Sequence, residues 1–484
     1  MPNRYFTASI PYVNADPHVG YALELVQTDV LVRYYRGQGD VVRGQFGSDD
    51  NSLKVVRAAE AAGEPVEAYA ARHAQHFLEL KEALNLEFGA GEEFMRTRAD
   101  QHIRGAQKLW QALNPEDLYE RHYEGLYCVG CEAFYDATDL NEGNICKTHN
   151  KPVEVVAETN WFFRLSKYQA QLQDLLERDV IKVHPASRKN ELLAFVRRGL
   201  QDFSLSRSAE RAAHWGVPVP GDEGQVMYVW VDALSNYITA LGYADEARAF
   251  QQFWLEGATR THVIGKDIVR FHAVYWPAFL LSAGLPLPTE IFVHGFLTLN
   301  GQKISKSLGN VIAPADLIAT YGPDGTRAIL LAALPADNDG DLSPDFFEAT
   351  YTRLANGIGN LAGRIAAMSN KYFEGSVDRL AYPGEEKFKA DLAAAIEARD
   401  FKEYLELCFR LAEEGNAKIE NEAPFRTAKT DLPAARQTLS ELAALMRVLA
   451  AALTPLIPAA GAELSARFAG DTLIHGQPIF PRSE

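Results

Sequence analysis

The chain reads as an α/β protein whose parallel sheet is interrupted by an insertion and followed by a helical bundle. Three observations predict this. Near the start, a β-branched and aromatic run (Arg4–Ile10), a helix-spaced apolar pattern (Val19–Gly37) and a second extended run (Asp40–Phe46) follow one another. Around Leu118 the texture changes to short strands with many turn residues and a cluster of cysteines, and strand–helix alternation resumes only after Asp222. From Pro344 onward the pattern is almost wholly helical.

Each element follows from its residues. Asp16 and Pro17 offer an N-cap and a first helical residue, and Leu23, Val26, Val30 and Tyr34 then recur at helical spacing until Gly37. The Asp40–Phe46 strand ends at Gly47-Ser48-Asp49-Asp50. This is a β-α-β unit, the start of a parallel sheet, with its ligand site expected beyond the carboxyl ends of the strands. Residues 54–113 alternate helical patterns and connections. After the insertion, strands are expected at Val226–Val231, Thr261–Ile264 and Glu290–Val293, with a helix at Ala233–Leu241. The apolar stretch Leu442–Leu464 carries Arg447, Pro455 and Pro458, so it reads as a packed helix pair and not a membrane span. The expected domains are 1–115 and 223–315 (two halves of the sheet domain), 116–222 (the insertion), 316–345 (a connecting segment) and 346–484 (the helical domain).

The totals bound the function. A length of 484 residues with 47% hydrophobic and 23% charged residues belongs to a globular multidomain chain. Residues 1–10 lack a basic segment followed by an apolar run, so no secretory signal is expected. Three of the four cysteines fall close together, which is metal spacing in a reducing compartment and predicts a cytoplasmic protein. A net charge of −16 argues against tight nonspecific binding to nucleic acid, DNA included, while a local basic face on an acidic body stays open.

Two short motifs carry the chemistry. The first is Pro11-Tyr12-Val13-Asn14-Ala15-Asp16-Pro17-His18-Val19-Gly20-Tyr21. It puts a histidine at a helix amino terminus, where unpaired N–H groups and the positive dipole end suit a phosphate, and Gly20 leaves room for a nucleoside. The second is Lys303-Ile304-Ser305-Lys306-Ser307, in which Lys303 and Lys306 can neutralise a departing pyrophosphate and Ser305 and Ser307 add neutral donors. Gly301 and Gly309 on either side suit a mobile loop. Each motif alone is more often structural or solvated surface; their order and context make the pair informative. In the insertion, Cys128-x-x-Cys131 and Cys146-x-x-His149 match a closed, structural tetrahedral zinc site, with Asp139, Asn141, Gly143 and Asn144 helping the chain double back.

The pairing of these motifs resembles the two signatures of class I aminoacyl-tRNA synthetases, and the surrounding residues are most similar to the methionyl-tRNA synthetases. The resemblance spans about 4–460. It implies a Rossmann-type domain split by a zinc-knuckle insertion, then a helical anticodon-binding domain. It implies an ATP-dependent ligase that forms methionyl-adenylate from L-methionine and transfers it to tRNA(Met), with Mg2+ accompanying ATP and one structural Zn2+ per chain. His18, Tyr21, Lys303 and Lys306 take the catalytic positions, Tyr21 standing where the family has a second histidine. Gly20, Glu24, Gly265, Asp267, Ser305 and Ser307 match ATP or adenylate contacts. Ile10, Tyr12, Asp49, Trp230, Ala233, Leu234, Tyr237, Ile268 and His272 match the amino-acid pocket, although without the flanking signatures Trp230, Tyr237 and Ile268 read as ordinary core. The stretch after Asp49 departs from the family pattern, with Asn51 and Ser52 in place of His and Gly.

In the helical domain Asn360 and Arg364 lie four apart on one helix face, where an amide and a guanidinium can bond the edges of an unstacked base. The family reads an anticodon with these two residues and an aromatic; Phe425, after Ala423-Pro424, fills the place usually held by Trp. A surface helix pair with a buried Phe is the plainer reading. Two other functions stay open: a divergent paralogue that activates an amino acid for a non-tRNA acceptor, and a non-catalytic tRNA-binding relative. The chain ends without the added domain through which some relatives dimerise, so a monomer is expected.

Overall fold

The computed structural model describes residues 1–128, 133–135, 139–147, 150–304 and 309–481. The chain divides into two compact units. The first comprises Met1–Asp16, Gly39–Glu79 and Phe88–Val293; the second comprises Pro17–Gln38, Leu80–Glu87 and His294–Glu484.

The first unit contains a six-stranded sheet in the order Phe94–Arg96, Val41–Ser48, Asn3–Ala8, Thr259–Gly265, Glu290–His294 and Lys182–His184. Asn3–Ala8 pairs in parallel with both of its neighbours, as do the two edge strands with theirs. Sheets covered on both faces need nearly continuous apolar runs, and Tyr5, Phe6, Val263, Ile264, Ile291 and Phe292 are accordingly buried. The core beneath includes Trp254, Trp276, Phe279 and Tyr237. Full burial of such side chains stabilises by roughly 1.5–3 kcal/mol each. Gly47 permits the close approach at the sheet's carboxyl end, because a Cβ there would stand 2.0 Å from the Met95 carbonyl oxygen.

The 116–222 range contains an antiparallel sheet ordered Ala133–Tyr135, Leu118–Cys128, Glu154–Phe163 and Phe203–Ser204. It also contains helices Gln169–Glu177 and Ala186–Arg197, and supplies the main sheet with its Lys182–His184 edge strand.

Three expected elements are corrected. Val226–Val231 is not one strand: the strand is Asp222–Met227, antiparallel to Ser206–Ser208, and a helix Val229–Thr239 begins where the expected strand continued. A short apolar run reads equally well as a buried helix, and this helix is buried on nearly every side. Asp16 and Pro17 do not open the first helix; its N-cap is His18. The first strand ends at Ala8, and Tyr12 instead forms an isolated bridge with Asp49.

The second unit holds the Val19–Gly37 helix and the helices from Pro314 onward. The expected connecting segment is largely the helix Pro314–Ala333, kinked where Gly322 takes φ 68° before Pro323. Arg327 is fully buried and pairs with Asp29 at 2.8 Å, binding the 19–37 helix to this unit. Further along run Asn360–Phe373, Glu385–Glu397, Phe401–Glu422, Leu432–Leu453 and Pro458–Phe468. Leu442–Leu464 is the helix pair its prolines predicted. Among the described residues no helix is long and apolar enough to cross a membrane.

Candidate active site

His18 terminates the 19–37 helix by capping it. Its backbone is extended (φ −123°, ψ 170°), and its Nδ1 accepts from the Gly20 N–H at 3.0 Å. In that contact Nδ1 is the acceptor, so in the neutral ring the proton sits on Nε2. Gly20 is needed for the cap itself, since a Cβ there would lie 2.8 Å from His18 Cε1. Tyr21 follows in the first turn and is 7% exposed.

Segments on either side of the second motif reach the same helix. Upstream, His294 Nε2 meets the buried Glu24 carboxylate at 2.9 Å, while its Nδ1 lies 2.8 Å from the Gly295 carbonyl. Downstream, the Val19 N–H donates to the Ile312 carbonyl at 3.1 Å. The chain between them therefore leaves and returns at the amino-terminal turns of one helix. In between lies a hairpin of Leu297–Leu299 and Gln302–Lys303. Its two turn residues, Asn300 and Gly301, both have positive φ (51° and 74°), the geometry of a type I′ turn. Gly301 thus serves a hydrogen-bonded hairpin turn at the start of the segment. Asp341 ties the turn down, accepting from Thr298 Oγ1 at 2.5 Å and from the Gly301 N–H at 2.8 Å. These bonds hold its carboxyl below the usual carboxylate range. Ser305, Lys306 and Ser307 lie outside the described residues.

In the first unit, the residues assigned to the amino acid interlock. Asp49 is buried and forms the bridge to Tyr12, and its Oδ1 accepts from the Asn51 N–H at 3.1 Å. The Lys54 ammonium stands 4.3 Å from the Tyr12 ring centre. His272 Nδ1 donates to the Ile268 carbonyl at 2.9 Å, so Nε2 accepts from Tyr237 Oη at 2.6 Å. Tyr237 also stacks on His262 at 4.0 Å. Burial first, then His272 and Arg260, pushes His262 well below its ordinary pKa, so it is neutral. Trp230 lies flat on Phe271, 3.7 Å between ring centres, and its buried indole N–H has no hydrogen-bond partner among the described residues. Ala233 and Leu234 are buried, while Ile10 and Ile268 are half-buried. Gly265 ends the Thr259–Gly265 strand, and Asp267 is exposed in the turn that follows.

The structure adds residues that the sequence reading did not single out. Asp232 is buried and accepts from His102 Nε2 at 2.6 Å and from Asn51 Nδ2 at 2.8 Å. Asn51 also donates to the Thr97 carbonyl at 3.1 Å, and Ser52 caps the Leu53–Ala62 helix. The two departures after Asp49 therefore have structural tasks. The signal for Asp232 was its place two residues after Trp230. Nothing local marks His102, because its partners are distant in sequence. His294 could have been found as a histidine nine residues before Lys303.

In the insertion, Cys128 ends the Leu118–Cys128 strand and is buried with Cys146 and Leu140 in a small cluster. Gly143, Asn144 and Asn150 take positive φ, and the Asn150 N–H donates to the Cys146 carbonyl, so the chain doubles back there. Two soft sulfur donors buried together at turns fit a zinc ion. Cys131 and His149 lie outside the described residues.

In the second unit, Asn360 and Arg364 open the Asn360–Phe373 helix, just after a π-helical stretch, Arg353–Gly359. Arg364 Nη2 is 2.5 Å from Glu420 Oε1. Tyr372, on the same helix, donates to the Phe425 carbonyl at 3.3 Å, which holds the short Pro424–Thr427 helix beside it. Asn360 is exposed, and Arg364 and Phe425 are half-buried.

Comparison with known proteins agrees along the whole chain. The family model described as tRNA synthetases class I (M) matches residues 4–149 and 130–366. A methionine–tRNA ligase of Brucella suis biovar 1 is 39% identical over 510 residues, covering 99% of this chain and 97% of the relative. One from Mesorhizobium japonicum is 40% identical, covering 95% of this chain and 90% of the relative. A solved structure, the Mycobacterium tuberculosis methionyl-tRNA synthetase in complex with methionyl-adenylate, superposes with a TM-score of 0.91 at 34% identity, covering 100% of each chain. Matched end to end in sequence and in three dimensions, the chain belongs to the class I tRNA synthetases (M), the methionyl-tRNA synthetase family.

Proposed function

We propose that the chain is a methionine–tRNA ligase: it joins L-methionine to ATP, releasing pyrophosphate, and passes the methionyl group from the adenylate to the terminal ribose of tRNA(Met). The observation that carries this reading is the Val19–Ile312 hydrogen bond, which returns the chain after the lysine motif to the turn that His18 caps.

The chemistry follows from the residues. The methionine carboxylate attacks the α-phosphorus in line with the departing pyrophosphate, and negative charge grows on the leaving oxygens. His18 Nε2–H donates to a phosphoryl oxygen, and Lys303 and Lys306 neutralise the pyrophosphate. Because the His18 tautomer is already set by Gly20, the donor needs no reorganisation as charge develops. Gly20, Glu24, Gly265 and Asp267 hold the adenosine, with Ser305 and Ser307 as added donors, and Tyr21 completes the first turn. Mg2+, when bound with ATP, supplies further charge neutralisation at the phosphates. Asp49 takes the substrate ammonium. Ile10, Tyr12, Trp230, Ala233, Leu234, Tyr237, Ile268 and His272 enclose the unbranched side chain, and the Tyr237–His272 pair offers one polar edge near sulfur. Cys128, Cys131, Cys146 and His149 hold a structural zinc. Asn360, Arg364 and Phe425 read the anticodon by edge contacts and stacking.

The test is methionine-dependent ATP–pyrophosphate exchange across a panel of amino acids, followed by charging of tRNA(Met). Exchange with methionine and charging are both expected. Exchange without charging would move the assignment to an activator with another acceptor, and no exchange would leave an RNA-binding relative.

A further inference from the structure

We propose that Asp16, His73 and His76 form a second metal site, of the two-histidine, one-carboxylate type, that takes a borderline divalent cation such as zinc or cobalt(II). The cluster lies wholly within the first unit and shares no residue with the cysteine knuckle or the substrate contacts.

The argument starts from the Val66–Ala83 helix, which carries His73 and His76 three residues apart and so on one face. His73 is 6% exposed and lies against the Tyr69 ring at 4.4 Å. Tyr69 Oη donates to the Asn14 carbonyl at 3.1 Å, pinning the loop that carries Asp16 onto this helix. The result is convergence: Asp16 Oδ1 is 2.8 Å from His73 Nδ1 and 2.6 Å from His76 Nδ1. All three ligand atoms lie within 4.8 Å of one another.

Two imidazole nitrogens and one carboxylate oxygen suit zinc or cobalt(II) better than magnesium or calcium, which prefer all-oxygen sets. The required adjustment is small. Metal–ligand bonds of about 2.0–2.1 Å place tetrahedral ligand atoms about 3.3 Å apart, so the two nitrogen–oxygen pairs open by about 0.5 and 0.7 Å. Asp16 and His76, with side chains 64% and 37% exposed, are free to make that shift and leave a face open for water. Ligation shifts each imidazole proton from Nδ1 to Nε2, and because an imidazolium cannot ligate, affinity falls as pH drops. One contact opposes it: Arg72 Nη1 lies 3.3 Å from His73 Nε2, which must carry a proton once Nδ1 is ligated. Arg72 already holds Glu64 through Nη2 at 2.9 and 3.0 Å, so its other arm can turn to solvent.

The experiment uses the full chain, zinc-loaded at the cysteines and stripped of loosely held metal, titrated with Co2+. The expected result is one further equivalent per chain, with visible d–d absorption and no thiolate-to-cobalt charge-transfer band. His76→Gln and Asp16→Asn, both at exposed positions, are each expected to weaken that equivalent at least about tenfold while leaving the metal-free melting temperature unchanged. Equal uptake by wild type and both variants, or no uptake beyond the cysteine-bound equivalent, would overturn the site.

Discussion

The groups assigned to the amino acid and those assigned to the nucleic acid and phosphates are held in opposite ways. In the first unit Tyr237 and His272 are buried and bonded to each other, as is Asp232 to His102 and Asn51. In the second unit His18 and Asn360 are exposed, and Arg364 is held by a single surface carboxylate. The difference follows from the substrates. A small, unbranched side chain is recognised by shape, which a densely packed wall can hold. A triphosphate and an RNA are large, hydrated anions, met by donors already at the surface and set by local backbone.

That contrast can be broken first at His18. Asparagine is as good an N-cap as any residue, so His18→Asn is expected to keep the melting temperature while pyrophosphate exchange falls by about 100-fold or more, the scale for losing one preset donor. His18→Ala should show the same kinetic loss with a further cost of about 1 kcal/mol in stability. Equal losses of exchange and stability in both variants would mean that the residue is only a cap.

The buried side is tested by Asp232→Ala, which leaves His102 Nε2–H and the Asn51 amide without an acceptor. Urea unfolding of this variant is expected to show about 3 kcal/mol less stability, because buried donors left without an acceptor cost their desolvation in full. A smaller effect comes from Arg364→Ala. It should raise KM for tRNA in the charging reaction about tenfold, equivalent to about 1.4 kcal/mol, and leave exchange untouched. A fall in exchange would contradict a role confined to RNA.

The smallest effect is expected at Asp341, whose carboxyl is held low by the Thr298 hydroxyl and the Gly301 N–H. A depressed folded-state pKa means the stabilisation is present above the ordinary carboxylate range and fades as pH falls through the folded value. Hydrogen exchange at Gly301 should therefore be faster in Asp341→Asn than in wild type near neutral pH, and the difference should close on acidification.

Much of this architecture was legible in the residues. The 19–37 helix was predicted to its last residue because its apolar spacing is regular and Gly37 follows a basic last turn. The C-terminal helix pair was legible from Pro455 and Pro458. The Val229 helix was misread because Val-Trp-Val satisfies strand and buried-helix patterns alike, and only the surroundings choose between them. At Gly301 the residues carry two signals, an Asn-Gly hairpin turn and a Gly beside a lysine loop, and the structure takes the turn.

The sequence by itself determined the chemistry available: which side chains carry charge, which turns need glycine, which helix end offers N–H groups, and which family pattern they compose. Those properties reside in single residues and short spacings. Only the tertiary structure decided that Asp16 meets His73 and His76, that Asn51 answers Asp232, and that Arg327 lies buried against Asp29. Such pairings join residues tens to hundreds of positions apart. Their energies depend on burial and partner geometry, quantities that exist only once the chain has closed on itself.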